Sequence, residues 1–404
     1  MSFQIKKAAV LGAGVMGANI AAQLANAGIE CLLLDIVPPE LTEADKAKGL
    51  TKESPAWRNS FAMRGLEGAT KARPASFYTK RNAALVKPGN FEDHLAWLAG
   101  VDLVIEAVIE NLKIKQDLFA RVEKVVKPHC IVATNTSGIR IGEISANLGK
   151  ALKERFLGIH FFNPPRYMKL VEVIPGEETK KEVVEYVTRF CEDVLGKGVV
   201  VCKDVPNFIA NRIGVYDMSN AMNLMLAKGM RVEDIDAIIS APLGRPRSAI
   251  FGTIDLVGLD TAYHVMTNLY EALPKDESRD LFIPPDFVKA MIQKKWLGNK
   301  TKGGFYKRVG KEKLMLDINT WEYVPTKPAD FLSLEKAKVA KTLPEKMEAF
   351  FEGDDKAAKF VWEVNKGYLM YAAAKIPEVS DDILNIDRAM RWGYNHGAGP
   401  FEQW

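Results

Sequence analysis

Residues 8–35 read AAVLGAGVMGANIAAQLANAGIECLLLD, and no other stretch limits the fold so tightly. Residues 8–11 have the length of a short buried strand, Gly12, Gly14 and Gly17 follow in GxGxxG spacing, and a helical pattern runs from about Met16 to Ala27. Residues 31–34 form a second apolar run, closed by Asp35. The first glycine permits a tight turn, the second lets backbone approach a pyrophosphate, and the third lets helix and strand pack closely. The helix N-terminus adds free N–H groups and a positive dipole end for phosphates. A lone GxGxxG says little. Here it follows a strand, opens a helix and is followed by an acid 18 residues after Gly17, the context a dinucleotide fold requires. Asp35 can accept both ribose hydroxyls and would repel a 2′-phosphate, which predicts NAD rather than NADP. Val15 and Met16, between the glycines, belong to the same expected cofactor contact. Without the glycines, Asp35 would read as a solvated strand-end acid.

Further apolar runs of strand length lie at 101–108, 131–134, 156–161 and 170–174, several separated by helical patterns. They predict an α/β fold, a mostly parallel doubly wound sheet of Rossmann type with helices on both faces. Residues 38–98 are more polar, with broken helical periodicity, and read as an elaboration rather than a regular βα unit. The character changes after Cys202, where long helical periodicity predicts an all-α domain beginning near 204. An internal repeat follows, because DIDAIISAPLGRPRSAIF (234–251) and NIDRAMRWGYNHGAGPF (385–401) share an Ile-Asp pair on a helix, a glycine turn and a closing Phe. The expected division is 1–203 for the dinucleotide domain, 204–308 for the helical domain, 309–355 for a charged linker, and 356–404 for a partial second helical copy. The first copy runs on past Phe251 and the second stops at Trp404 within its motif, so a truncated copy from a longer chain is expected.

The 55 Lys and Arg against 51 acids give a balance too slight to announce a nucleic-acid or membrane-surface partner. Cys31, Cys130, Cys191 and Cys202 make no metal-ligand spacing and no disulfide framework, so no metal is expected and a reducing compartment fits. No apolar stretch has the length of a bilayer span and no secretory leader is evident, which predicts a cytoplasmic chain.

LGIHFFNPPRYMKLVEV (157–173) places His160 inside an apolar run, with Glu172 twelve positions on, across a proline turn. An isolated His there is more often a satisfied core residue, and Glu172 alone a surface strand residue. If the turn closes a hairpin, however, the carboxylate meets the imidazole, holds its tautomer and supports the cation it forms. His160 would then be a general base for a hydroxyl proton.

GAGVMG, VIEAVIENLKIK, NTSG, HFFNPPRYMKLVEV, KDVPNFIANR and NKTKGGFYK, in that order, make the chain resemble the L-3-hydroxyacyl-CoA dehydrogenase family of fatty-acid β-oxidation over residues 5 to about 308. By that resemblance His160 and Glu172 match the catalytic pair. Asn211 matches an asparagine that steadies charge on the carbonyl oxygen, and Ser137 a serine between nicotinamide and substrate oxygen. Glu110, Lys115, Asn163 and Lys300 match cofactor-contacting positions. The residues themselves leave other readings open: Ser137 and Asn211 as helix caps, and Glu110 with Lys115 as an exposed helical charge pair.

The resemblance implies an acyl-CoA substrate lying between sheet domain and helical domain. It also implies a dehydrogenase part of a multifunctional enzyme, with a fused enoyl-CoA hydratase module beyond this chain. The second helical copy would take the place of a dimer partner, giving a monomer with an internal pseudo-dimer; a homodimer is the alternative. GRPRSAIF departs from the family pattern by adding Arg245 and Arg247, and KARPASFYTKR offers a basic contact for CoA phosphates or merely an exposed basic face. A dehydrogenase of a free hydroxy acid and a non-catalytic NAD-binding scaffold are the competing functions.

Overall fold

The computed structural model describes residues 4–404, in two compact units that divide between Phe208 and Ile209. The first is built on an eight-stranded sheet: β1 (Lys7–Leu11), β2 (Glu30–Asp35), β3 (Val86–Asn90), β4 (Leu103–Glu106), β5 (Ile131–Thr134), β6 (Phe156–Phe161), β7 (Leu170–Pro175) and β8 (Gly198–Val201). Their order is β3-β2-β1-β4-β5-β6-β7-β8. The first six are parallel and run in the 3-2-1-4-5-6 order of a dinucleotide-binding sheet, while β7 turns back antiparallel to β6 and pairs parallel with β8. The fully buried runs of β4, β5 and β6, and of β1 beyond Lys7, are what a sheet covered on both faces demands.

The helix Val15–Asn26 follows β1 directly and buries Ala18, Ile20, Ala21, Ala22, Leu24 and Ala25. Its small side chains allow close approach to the sheet, and its start depends on two glycines. A Cβ on Gly17 would stand 1.8 Å from the Gly12 carbonyl oxygen, and one on Gly12, where φ is +102°, would stand 2.5 Å from that of Ala107.

The polar segment 38–98 is more regular than its sequence suggests. It holds the helix Ser60–Lys71 and the strand β3, whose VKPGN sequence hides it. A strand can carry Pro88 because β3 is the edge of the sheet, where a missing N–H leaves no ladder bond unmade.

The second unit is mainly helical, with a small sheet that starts at the end of the stretch 204–308. β9 (Tyr306–Val309), β10 (Glu312–Asp317) and β11 (Glu322–Pro325) form an antiparallel three-stranded sheet. The stretch 309–355 holds β10, β11 and the helices Leu332–Val339 and Leu343–Phe351. The repeat is structural as well as sequential. Asp236 accepts the backbone N–H groups of Ile250, Phe251 and Gly252 at the start of the helix Phe251–Val257. Asp387 accepts those of Phe401 and Glu402 at the start of Pro400–Gln403. The long helices of the two copies, Ala210–Ala227 and Lys356–Ala374, pack on each other with Tyr216 stacked on Tyr371 at 3.8 Å. Arg212 and Lys375 both donate to Asp276, joining the copies through a carboxylate whose side chain is buried.

Candidate active site

Parallel strands bring residues far apart in sequence to one edge. Gly12 follows β1, Asp35 ends β2, Glu110 lies just beyond β4, Ser137 just beyond β5, and His160 is the penultimate residue of β6. All sit at or beyond the carboxyl ends of strands that run the same way, where open α/β sheets bind their ligands.

At the cofactor end, Asp35 reaches back over the glycine turn: Oδ2 accepts from the Ala13 N–H at 2.7 Å and Oδ1 from that of Ile36 at 2.7 Å. Gly14 differs from its two neighbours in the motif. Its φ of −64° suits any residue, and a Cβ there would meet nothing within 4 Å. Neither strain nor protein packing calls for glycine at this position, so the open space over Gly14 fits the approach of a dinucleotide phosphate. Val15 is exposed and Met16 half-buried beside it.

His160 and Glu172 are direct partners in the antiparallel pairing of β6 with β7, on one face of the sheet. The imidazole Nδ1 stands 2.8 Å from Glu172 Oε2, with His160 4% and Glu172 0% exposed. The hairpin anticipated from twelve-residue spacing is present. A carboxylate can only accept, so Nδ1 carries the proton and Nε2 keeps its lone pair. The rings of Phe162 and Phe208 lie 4.6 and 5.8 Å from that of His160. Asn163 is exposed in the following turn, which Lys197 holds from behind by donating to the carbonyls of Pro165 and Met168. Burial pulls the Lys197 ammonium down to about 8.

Ser137 lies on a turn fastened by Glu110, whose Oε1 accepts the Thr136 hydroxyl at 2.5 Å and the N–H groups of Ser137 and Gly138 at 2.9 and 3.1 Å. Lys115 is 1% exposed and not the solvent-facing half of a helical charge pair. It is clamped between Glu106, at 2.8 and 3.0 Å, and Glu110, at 3.2 Å. Burial pushes the Glu106 carboxyl up against the pull of Lys115. Burial would raise Glu110 too, but Lys115, the Thr136 hydroxyl and the Ser137 N–H outweigh it and hold that carboxyl below the usual range. Sequence reasoning passed over Glu106, though an acid inside the apolar run VIEAV is the same kind of signal that singled out His160.

Asn211 and Lys300 belong to the helical unit. Asn211 Oδ1 accepts from the Tyr394 hydroxyl at 3.4 Å, and the Lys300 Nζ pairs with Asp260 at 2.5 and 2.6 Å. Asn211 is not the N-cap of its helix, a place taken by Ile209. No helix of the described residues is long and apolar enough to cross a membrane, and they hold no cluster of three or more candidate metal ligands.

Residues 7–205 match the family description "3-hydroxyacyl-CoA dehydrogenase, NAD binding domain", and residues 208–308 match "3-hydroxyacyl-CoA dehydrogenase, C-terminal domain". A probable 3-hydroxyacyl-CoA dehydrogenase of Bacillus subtilis is 45% identical over 404 residues, covering 100% of this chain and 51% of the relative. A putative fatty acid oxidation complex trifunctional enzyme of Rickettsia felis is 34% identical over 409 residues, covering 100% of this chain and 53% of the relative. The chain thus spans about half the length of each. Among solved structures, FadB2 of M. tuberculosis is similar at a TM-score of 0.60 and 31% identity, over 76% of this chain and 99% of that one.

Proposed function

The chain belongs to the 3-hydroxyacyl-CoA dehydrogenase family, whose cofactor is NAD, and from that premise we propose that it interconverts L-3-hydroxyacyl-CoA and 3-ketoacyl-CoA. The observation that carries this reading is the His160–Glu172 pair, buried and in register at the ligand-binding edge of the sheet. Glu172 fixes the Nδ1 proton, so Nε2 is the atom that takes the proton from the substrate 3-hydroxyl; in the reverse direction it returns that proton. When bound, NAD supplies the acceptor for the hydride that leaves C3. Gly12, Gly14, Val15, Met16, Gly17 and Asp35 would hold it.

Glu110 and Lys115 act by presenting the Ser137 turn. The Ser137 hydroxyl, which no described residue hydrogen-bonds, is left to orient the substrate oxygen. Asn211 steadies charge on that oxygen, and Asn163 and Lys300 complete the proposed set of contacts. We place the activity in fatty-acid oxidation, within a longer multifunctional enzyme carrying a hydratase module. The packing of the two helical copies on each other supports a monomer over a homodimer.

The deciding experiment compares acetoacetyl-CoA with free acetoacetate as oxidants of NADH. The expected result is rapid oxidation with the thioester and little with the free acid. Equal rates would transfer the chain to the free hydroxy-acid class, and no oxidation by any CoA thioester, with NADH still bound, would make it a scaffold.

A further inference from the structure

Beside the proposed base, one backbone segment takes a left-handed conformation that Asn207 tolerates and Phe208 resists. Asn207 and Phe208 have φ of +62° and +50°, in the left-handed region where a side chain costs free energy and glycine does not. Such strain persists only where the surroundings over-determine it, and it gathers at ligand sites. Here the strained pair spans two parts of the site. Phe208, fully buried, sets its ring 5.8 Å from that of His160. Asn207, 3% exposed, lies against the Ser137 turn, so that a Cβ added to Gly138 would meet its Oδ1 at 3.2 Å and its Nδ2 at 3.5 Å. No described residue hydrogen-bonds the Asn207 side-chain amide. The amide atoms are not among the fully sealed, unpartnered ones, so they keep an opening that solvent or a ligand can fill.

We propose that Asn207 is a further ligand-binding residue, its amide pairing with a neutral carbonyl-bearing group of the ligand held between Ser137 and His160. An amide offers both a donor and an acceptor, which suits a carbonyl or carboxamide. Two sources carry that chemistry: the 3-oxo or thioester carbonyl of the acyl substrate, and the carboxamide of the nicotinamide. The assignment rests on the functional reading given above and adds to it a residue which neither the glycine motif nor the His–Glu pair contains.

The test uses Asn207→Gly, which accepts the same backbone without steric cost and lacks only the amide, with Asn207→Asp as a same-shaped variant that can only accept. Three quantities are read on the full chain: NADH affinity by fluorescence titration, acetoacetyl-CoA affinity by calorimetry, and the melting temperature. The expected result for Asn207→Gly is a melting temperature within a few degrees of the parent and a loss of roughly tenfold in affinity for one ligand. Weakened acetoacetyl-CoA binding identifies the acyl carbonyl as the partner, and weakened NADH binding identifies the carboxamide. Asn207→Asp should weaken the same ligand. Both affinities within twofold of the parent overturn the proposal, as does a melting temperature lowered far enough to make Asn207 a structural residue. Neither titration needs turnover, so a parent inactive on CoA thioesters would defeat the dehydrogenase reading while the amide was still decided by binding.

Discussion

The molecule buries two histidines in opposite settings. His160, in the sheet unit, turns Nδ1 to a carboxylate at 2.8 Å, which keeps the Nε2 lone pair free of a proton. His396, in the helical unit, is 8% exposed and has the Tyr368 hydroxyl at 3.4 Å from Nδ1, with the Arg245 guanidinium nearby. Burial and that cation push the His396 imidazole well below its ordinary value, which keeps it neutral. Asp217, the acid of the neighbourhood, is taken by Arg245. Burial alone therefore does not decide what a histidine can do; its neighbour does. Arg245 itself serves this packed interior and is not a solvent-facing charge.

Substitutions can break or sharpen the contrast. The largest effect belongs to His160→Gln, which should lose about 10² to 10⁴ in turnover of acetoacetyl-CoA while NADH binding, read by fluorescence, stays at the parent level. Normal turnover would leave the two histidines equivalent and remove the proposed base. Glu172→Gln should cost less, about 10² in turnover, because the amide can present its NH₂ to Nδ1 and move the ring proton to Nε2. A variant that kept full rate would show that the tautomer needs no acid to hold it.

His396→Gln should leave turnover within about twofold and instead lower stability by roughly 1–2 kcal/mol at pH 8, measured by denaturant unfolding. Its pH dependence follows from linkage. The folded state holds His396 neutral below the ordinary 6.5, whereas the unfolded chain takes up a proton there, so the parent loses stability as pH falls through that value. The variant has no such group, and the gap between the two should narrow below pH 6.5. A constant gap would mean that His396 is as free to charge when folded as when unfolded.

Much of the fold was legible because its signals are local. The strand, glycine turn and helix of residues 7–26 follow from sterics and apolar spacing, and Gly12 and Gly17 prove to be places where no side chain fits. The His160–Glu172 pairing was legible for a similar reason, since NPP forces a turn and the acid returns on a strand. β3 was missed because its edge position, which excuses Pro88, is a property of the assembled sheet. The strands of 306–325 are not legible because only Met315 and Leu316 among them are buried and the strands pair only with each other.

By itself, the sequence determined the dinucleotide turn, the alternation of strand and helix, the hairpin that joins His160 to Glu172, and the repeat of an aspartate-capped helical motif. Those depend on neighbours within a few residues to a few turns. Only the tertiary structure decided that Lys115 is sealed between Glu106 and Glu110, that His396 is neutral packing, and that the Asn207 amide is buried against Gly138. Each outcome is set by desolvation and by charges brought in from distant parts of the chain, and neither periodicity nor spacing records which groups will be shut away from water together.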